Sequence, residues 1–314
     1  MQIYVKMDGR LGNQLFQYAT ARSIQIKNNG DLILDYTSYK LDKSKGIYGK
    51  DGMENLLVHF KVAPYEYIDC GNYDKRRIPL VQRVLFKIIR RIKPMSNRLW
   101  MIEIIELLEH RFLQFFGIIF LESNNSFRFY HLPNRNDLFL RGWFESSCFF
   151  DDIIDVLRKE IVPIYEIPLR YVSFYEKIQN TESVCVSVRR GDFTSDTYKK
   201  RFLICDVDYY KKGIEYIRNK KKNACIFVFS DDIEWCKNNL GLDADVIYEP
   251  EGMPIWEKLR FMSTCRNFVI SNSTFSWWAQ YLSLNKEKIV IAPRKWRNEK
   301  PYPIYIYQNN WILM

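Results

Sequence analysis

Residues 183–192 read Ser-Val-Cys-Val-Ser-Val-Arg-Arg-Gly-Asp, and the placing of this stretch among its neighbours decides the fold. The valine-rich run Ser183–Val188 is short and apolar, as a strand covered on both faces must be. It stops at Arg189-Arg190-Gly191-Asp192, residues that cannot continue a buried strand. Downstream, Asp206 reads as the cap of a helix through Tyr209 and Ile217. Ala224–Phe229 reads as a second strand, and Ser230-Asp231-Asp232 leads into another helix, with Asp231 and Glu234 at capping-box spacing. A helix over Ile255–Cys265, a strand over Phe268–Ile270, a helix over Ser273–Leu282 and a strand over Lys288–Ala292 complete the series, closed by Pro293. Strands alternating with helices at this spacing predict parallel βα units.

The N-terminus repeats the pattern. Residues 2–7 read as a strand, Gly9–Asn13 as a turn, Gln14–Asn28 as a helix and Asp31–Asp35 as a strand, a βαβ opening. The chain is therefore expected to be α/β, with an N-terminal domain at 1–159, a Rossmann-like domain at 160–300 and a tail at 301–314. The middle is less regular. Val81–Lys93 places Val81, Leu85, Ile88 and Ile92 on one helical face and Arg83, Lys87, Arg90 and Arg91 on the rest. Trp100–Phe120, with Glu103, Glu106 and Glu109 three apart, also reads as helical.

A formal charge of +10 over 314 residues points to an anionic partner, leaving nucleic acid, lipid headgroups and a nucleotide diphosphate open. No zinc finger, RNP-like aromatic strand or GXXG clamp supports a nucleic-acid role. The seven cysteines form no CxxC pair, as reduced and mostly buried thiols would be distributed. With no signal-peptide layout and no bilayer-spanning run, a cytoplasmic protein is expected, any contact with the anionic inner face of a membrane being peripheral and made by the basic helix 81–93.

Each candidate site has a plain alternative. Arg189, Arg190 and Asp192 stand where a parallel strand ends, the usual place for ligands, and an arginine fork suits diphosphate oxygens; otherwise they form a solvated turn. Of Asp231 and Asp232, one carboxylate suits a guanine edge or ribose, while Asp231 by position caps the helix. Ser271, Asn272, Ser273 and Thr274 fall between a strand and a helix, where hydroxyls and free N–H groups bind phosphate; Phe275 lines the same turn, and a simple cap would need only one of them. Asn272-Ser273-Thr274 and Asn124-Asn125-Ser126 also match the N-glycosylation pattern. Gly9 and Gly12 fit neither the dinucleotide fingerprint nor the Walker loop, yet their turn can bring Asn13 and Gln14 to sugar hydroxyls. His59, His110 and His131 are scattered, and the strings Asp206-Val207-Asp208 and Asp243-Ala244-Asp245 read as a helix start and a connection, so no metal site is expected.

Taken together, Gly9-Arg10-Leu11-Gly12-Asn13-Gln14-Leu15-Phe16-Gln17-Tyr18-Ala19, Gly142-Trp143-Phe144-Glu145-Ser146, Ser187-Val188-Arg189-Arg190-Gly191-Asp192, Phe229-Ser230-Asp231-Asp232, Ser271-Asn272-Ser273-Thr274-Phe275-Ser276-Trp277-Trp278 and Ala292-Pro293-Arg294-Lys295-Trp296 resemble the α-1,2-fucosyltransferase family. The resemblance covers residues 1–35 and about 138–297. It implies two facing Rossmann-like domains of GT-B type, no cofactor or metal, GDP-fucose as donor, inversion at the transferred carbon, and a galactose-containing oligosaccharide or lipid-linked glycan as acceptor. It implies donor contacts for Arg189, Arg190, Asp192, Asp231, Ser273, Thr274 and Phe275, catalytic work for Arg189 and Asn13, and a loop facing the sugar and acceptor through Asn13 and Gln14. Ser187 departs from the family's histidine, Arg10 from a glycine and Glu145 from a glutamine. Asp8, Asp192 and Glu145 are the carboxylates available as a base. A different fucose linkage, protein O-fucosylation and a non-catalytic glycan- or nucleotide-binding module are the competing functions.

Overall fold

The computed structural model describes residues 1–39, 41–42, 47–48, 54–69, 80, 84, 112–121, 137–243, 245–298 and 305–314. The chain divides into two compact units: Met1–Val58 with Val62–Ile154 and Tyr302–Ile306, and His59–Lys61 with Asp155–Pro301 and Tyr307–Met314.

In the first unit β1 (Gln2–Lys6) leads through α1 (Leu11–Asn28) to β2 (Asp31–Asp35). The short strands β3 (Leu41–Asp42) and β4 (Ile47–Tyr48) pair with each other, and β5 (Glu66–Ile68), β6 (Ile118–Leu121) and β7 (Asp137–Gly142) complete a sheet ordered β5-β2-β1-β7-β6. Every pairing in that sheet is parallel. Ile3 and Val5 of the central strand are fully buried, as are Leu15, Phe16 and Ala19 on α1. Asn29, in the left-handed region at φ 50°, closes the helix.

One expected helix changes character. Within Trp100–Phe120 the residues up to 111 lie outside the described set; 112–115 are helical, but Ile118–Leu121 is strand β6. Gly117 takes φ 73°, which ends the helical turn, and the β-branched Ile118 and Ile119 then pair with β7. The basic segment 81–93 is outside the described residues except for Val84, as are His110, His131 and the Asn124 sequon.

The chain enters the main part of the second unit at α2 (Ile154–Glu160), which belongs to it from Asp155 onward, and continues with α3 (Leu169–Gln179) and β8 (Glu182–Val188), the Val-rich run. A short helix α4 (Lys199–Phe202) precedes α5 (Val207–Lys220), β9 (Ala224–Ser230), α6 (Ile233–Asn239), β10 (Ile247–Tyr248), α7 (Ile255–Thr264), β11 (Asn267–Ile270), α8 (Thr274–Leu282), β12 (Val290–Ala292) and β13 (Ile312–Leu313). The sheet runs β10-β9-β8-β11-β12-β13, all parallel. Residues 301–314, expected as a tail, thus supply its last strand, because Ile312 and Leu313 pair with Ile291 and Ala292.

Val184, Val186 and Val188 pack with Ile214, Ile217, Val269 and Ile291 in the core beneath α5. Gly213 permits that close packing, since a Cβ there would lie 2.8 Å from Val269 Cγ1. Asp206 caps α5 as expected, accepting from Tyr209 N at 2.8 Å. Successive strands run outward from β8 to β10 on one side and from β11 to β13 on the other. The direction reverses between β8 and β11, which is where an open parallel sheet forms a ligand crevice at its carboxyl ends.

At the opposite edge, Lys288 Nζ donates to the carbonyl of Gln280. Burial, assisted by repulsion from Arg158, pushes its pKa down to about 8 from the ordinary 10.5. Between those two values the unfolded chain binds more protons, so this residue's contribution to stability rises with pH. Replacing it, as Lys288→Met, should therefore be better tolerated at pH 7 than at pH 10, by about 3 kcal/mol at most. Urea melts at both pH values measure this, and a pH-independent difference between the two proteins would contradict it.

Candidate functional site

The site is built where β8 ends. Val188 is the last buried residue, and the two arginines that follow turn out of the sheet. The Arg189 guanidinium is gripped from both sides: Asp192 Oδ1 lies 2.6 Å from one terminal nitrogen and Asp231 Oδ2 lies 2.6 Å from the other. Asp231 Oδ1 also accepts from the Arg190 backbone N–H at 2.9 Å. The Arg190 guanidinium lies over Trp235, with its central carbon 3.5 Å from the ring centroid, and its Nε is 3.4 Å from Asp232 Oδ2. Phe193 lies 5.4 Å from the Arg189 guanidinium and stacks on Phe202. Charge-assisted pairs of this kind fix both guanidinium planes, while a fork with five donors retains N–H groups for a further anion.

The two acidic residues exchange the duties their spacing suggested. Asp232, not Asp231, is the N-cap of α6, accepting from Trp235 N at 3.2 Å. The helix begins one residue later than the capping-box pattern implies, which turns Asp231 toward the arginines. Gly191 makes room for it: a Cβ there would fall inside contact distance of Asp231 Oδ2. Gly191→Ala should displace the Asp231 carboxylate and with it Arg189, weakening the binding of an anionic ligand there about 10- to 100-fold with little change in Tm. Unchanged affinity for a nucleoside diphosphate in calorimetric titrations would show that the spacing does not matter.

The second half of the site starts one strand away. Ile270 of β11 pairs with Ser187 of β8, and Ser271 N donates to Ser187 O at 3.1 Å, so the two strand ends lie side by side. Ser187 Oγ is 2.6 Å from Ser276 Oγ, which is 3.2 Å from Ser271 Oγ. This buried hydroxyl chain ties the end of β8 to the first turn of α8. Ser273, Thr274 and Phe275 stand half-buried at that turn, and the N-cap Ser273 makes no side-chain cap. Its hydroxyl therefore does not neutralise the positive end of the helix.

Other expectations are redirected by burial. Asn272 is 4% exposed and donates to the carbonyls of Phe202 and Trp296 at 2.9 and 3.1 Å, so it is a structural tie rather than a glycan acceptor. Asp243 and Asp245 both sit on Arg218, at 2.5 and 3.0 Å, while Asp206 is engaged as the α5 cap.

In the first unit, Gln14 is fully buried and holds the backbone at Gly9, Glu54 and Leu56, so it does not present itself to a ligand. Asn13 is half-buried in the first turn of α1, packed against Gly9, and its side-chain oxygen has no hydrogen-bond partner among the described residues. Glu145 is 5% exposed, and Asp8 Oδ1 accepts from Gly9 N.

The pattern and its order are those of a known family. The model of glycosyl transferase family 11 matches residues 2–314. The chain belongs to glycosyl transferase family 11. Among its relatives is the O-antigen biosynthesis glycosyltransferase WbnK of Escherichia coli, 30% identical over 94% of each chain. An alpha-1,2-colitosyltransferase of Escherichia coli is 27% identical over 94% of this chain and 92% of its own length. The human galactoside alpha-(1,2)-fucosyltransferase 1 is 27% identical over 32% of this chain and 28% of its own. The fold is the GT-B fold of the solved fucosyltransferases: the structure of NodZ alpha-1,6-fucosyltransferase co-crystallized with GDP superposes with a TM-score of 0.52 at 15% identity, covering 89% of this chain and 91% of that one. The family 11 protein described here is thus a glycosyltransferase of α/β architecture with helix-flanked parallel sheets. No helix among its described residues is long and apolar enough to cross a membrane.

Proposed function

We propose that this glycosyltransferase moves L-fucose from GDP-β-L-fucose to the 2-hydroxyl of a terminal galactose in an oligosaccharide, with inversion and without a metal ion. The observation that carries the reading is Arg189, held between Asp192 and Asp231 at the strand end where the sheet reverses direction. A donor diphosphate placed there receives the remaining Arg189 N–H groups and the start of α8 at Ser273 and Thr274. Arg190 and Asp231 keep the fork in place, and Phe275 borders the same turn. The acceptor hydroxyl attacks the anomeric carbon from the face opposite GDP as the bond to the β-phosphate oxygen breaks; GDP departs and the hydroxyl proton is released to solvent. The negative charge that grows on that oxygen is met by donors already oriented, the arrangement that lowers a barrier most.

The names of the relatives support a 1,2 linkage and a polysaccharide acceptor, and one of them favours a second reading in which colitose is the sugar transferred. Purified protein should be offered GDP-fucose or GDP-colitose with a panel of galactose-terminated acceptors, with and without EDTA, and the products analysed for linkage. An α-1,2-fucosylated product formed equally well in EDTA is expected. Turnover of the colitosyl donor alone would establish the second reading, and GDP-fucose binding without transfer to any acceptor would leave a binding module.

A further inference from the structure

Behind the arginine cluster lies a charge pair that belongs to none of the motifs. Glu249, directly after β10, is 8% exposed, and Lys258 on α7 reaches its Oε1 at 2.7 Å. The same ammonium donates to the carbonyl of Ser230 at 2.8 Å, and Glu249 Oε1 accepts from the N–H of Ser230 at 3.3 Å. Both backbone groups of this one residue, at the last position of β9, are therefore held by a buried ion pair. The Ser230 hydroxyl in turn accepts from Asp232 N at 2.9 Å. The next residue along is Asp231, whose two oxygens hold the Arg189 guanidinium and the Arg190 N–H.

A buried ion pair is weak evidence for stability, because desolvation offsets much of the attraction. Here the second carboxylate oxygen, Glu249 Oε2, is buried without a hydrogen-bond partner among the described residues, which adds to the cost. What the pair supplies is position: Ser230 cannot move along or across the sheet without breaking it.

We propose that the Glu249–Lys258 pair is a positioning device for the diphosphate-binding arginines, acting through Ser230 and Asp231. The inference rests on the donor reading above. Neither side chain needs to touch the nucleotide. Loosening the pair frees the Ser230–Asp232 turn, and Arg189 loses one of its two fixed supports. The effect should therefore follow the β-phosphate rather than the nucleoside.

Calorimetric titrations of GDP and GMP into the wild-type protein, Lys258→Met, Glu249→Gln and Lys258→Arg, each checked by circular dichroism and well below its Tm, test this. Lys258→Met and Glu249→Gln should weaken GDP about tenfold while leaving GMP nearly unchanged, and Lys258→Arg should restore most of the GDP affinity. The isosteric Glu249→Gln decides the matter should Lys258→Met fail to fold. Equal losses for GDP and GMP in folded variants, or no loss for either, would overturn the proposal while leaving the donor reading intact. A folded wild-type protein that binds neither nucleotide would instead overturn the donor reading itself, and the proposal with it.

Discussion

Arg189→Ala is expected to lower kcat/KM by about 100-fold or more, the cost of losing one well-placed donor to developing charge. The residue's position makes the loss specific. Its guanidinium is largely shielded from water and bridges Asp192 and Asp231, so alanine removes a cation and leaves those two carboxylates facing the space that a diphosphate would enter. Repulsion then adds to the missing attraction, and KM for the donor should rise as kcat falls. Arg189→Lys separates charge from geometry. A lysine ammonium keeps the positive charge, but it cannot span two carboxylates and an anion in one plane, so activity should recover only in part. Steady-state kinetics with varied GDP-fucose measure both variants. Near-normal kcat and KM in the alanine variant would remove Arg189 from the mechanism.

The largest effect on stability is expected at Trp277. Its indole is fully buried on α8, 4.5 Å from the ring of Tyr281 in a stacked arrangement and 5.2 Å from that of Trp278. Trp277→Ala removes this packing and leaves a cavity that the two remaining rigid rings and a parallel sheet cannot close, at a cost of about 3–5 kcal/mol. Against the roughly 5–15 kcal/mol that holds an ordinary folded domain, that is a large share. Urea unfolding should show a fall in midpoint without a gain in compactness of the denatured state. A loss under about 1 kcal/mol would mean that the helix repacks, and that α8 is less rigid than its aromatic contacts imply. Because α8 also carries Ser273 and Thr274, the variant should bind GDP less tightly even where it is folded.

These two predictions draw on different kinds of legibility. Trp277 is readable as a core residue because the segment Thr274–Leu282 is short, aromatic and without a charged residue, and only burial suits it. Arg189 is readable because an abrupt change from valine to paired arginine marks a strand end. The partners of Arg189 are another matter. Asp192 lies three residues away and is local, but Asp231 is 42 residues distant, and its arrival depends on β9 pairing in register with β8. Trp235 under Arg190 depends on the same register, the Glu249–Lys258 pair behind Ser230 depends on β10 pairing with β9, and nothing in their own neighbourhoods singles them out.

By itself, then, the amino-acid sequence determined what short-range physics governs. It determined the alternation of strands and helices, the Asp206 cap, the arginine-bearing strand end and the hydroxyl-rich start of α8. Each follows from side-chain periodicity, or from groups within one helical turn of their partners. The tertiary structure alone decided that Asp232 rather than Asp231 caps α6, that Gln14 and Asn272 face inward, that Ile118–Leu121 is a strand and that the last residues complete a sheet. The physical reason is common to all of them. A local pattern says that a polar group must be satisfied, whereas the partner that satisfies it is chosen by strand order and packing between residues far apart in the chain.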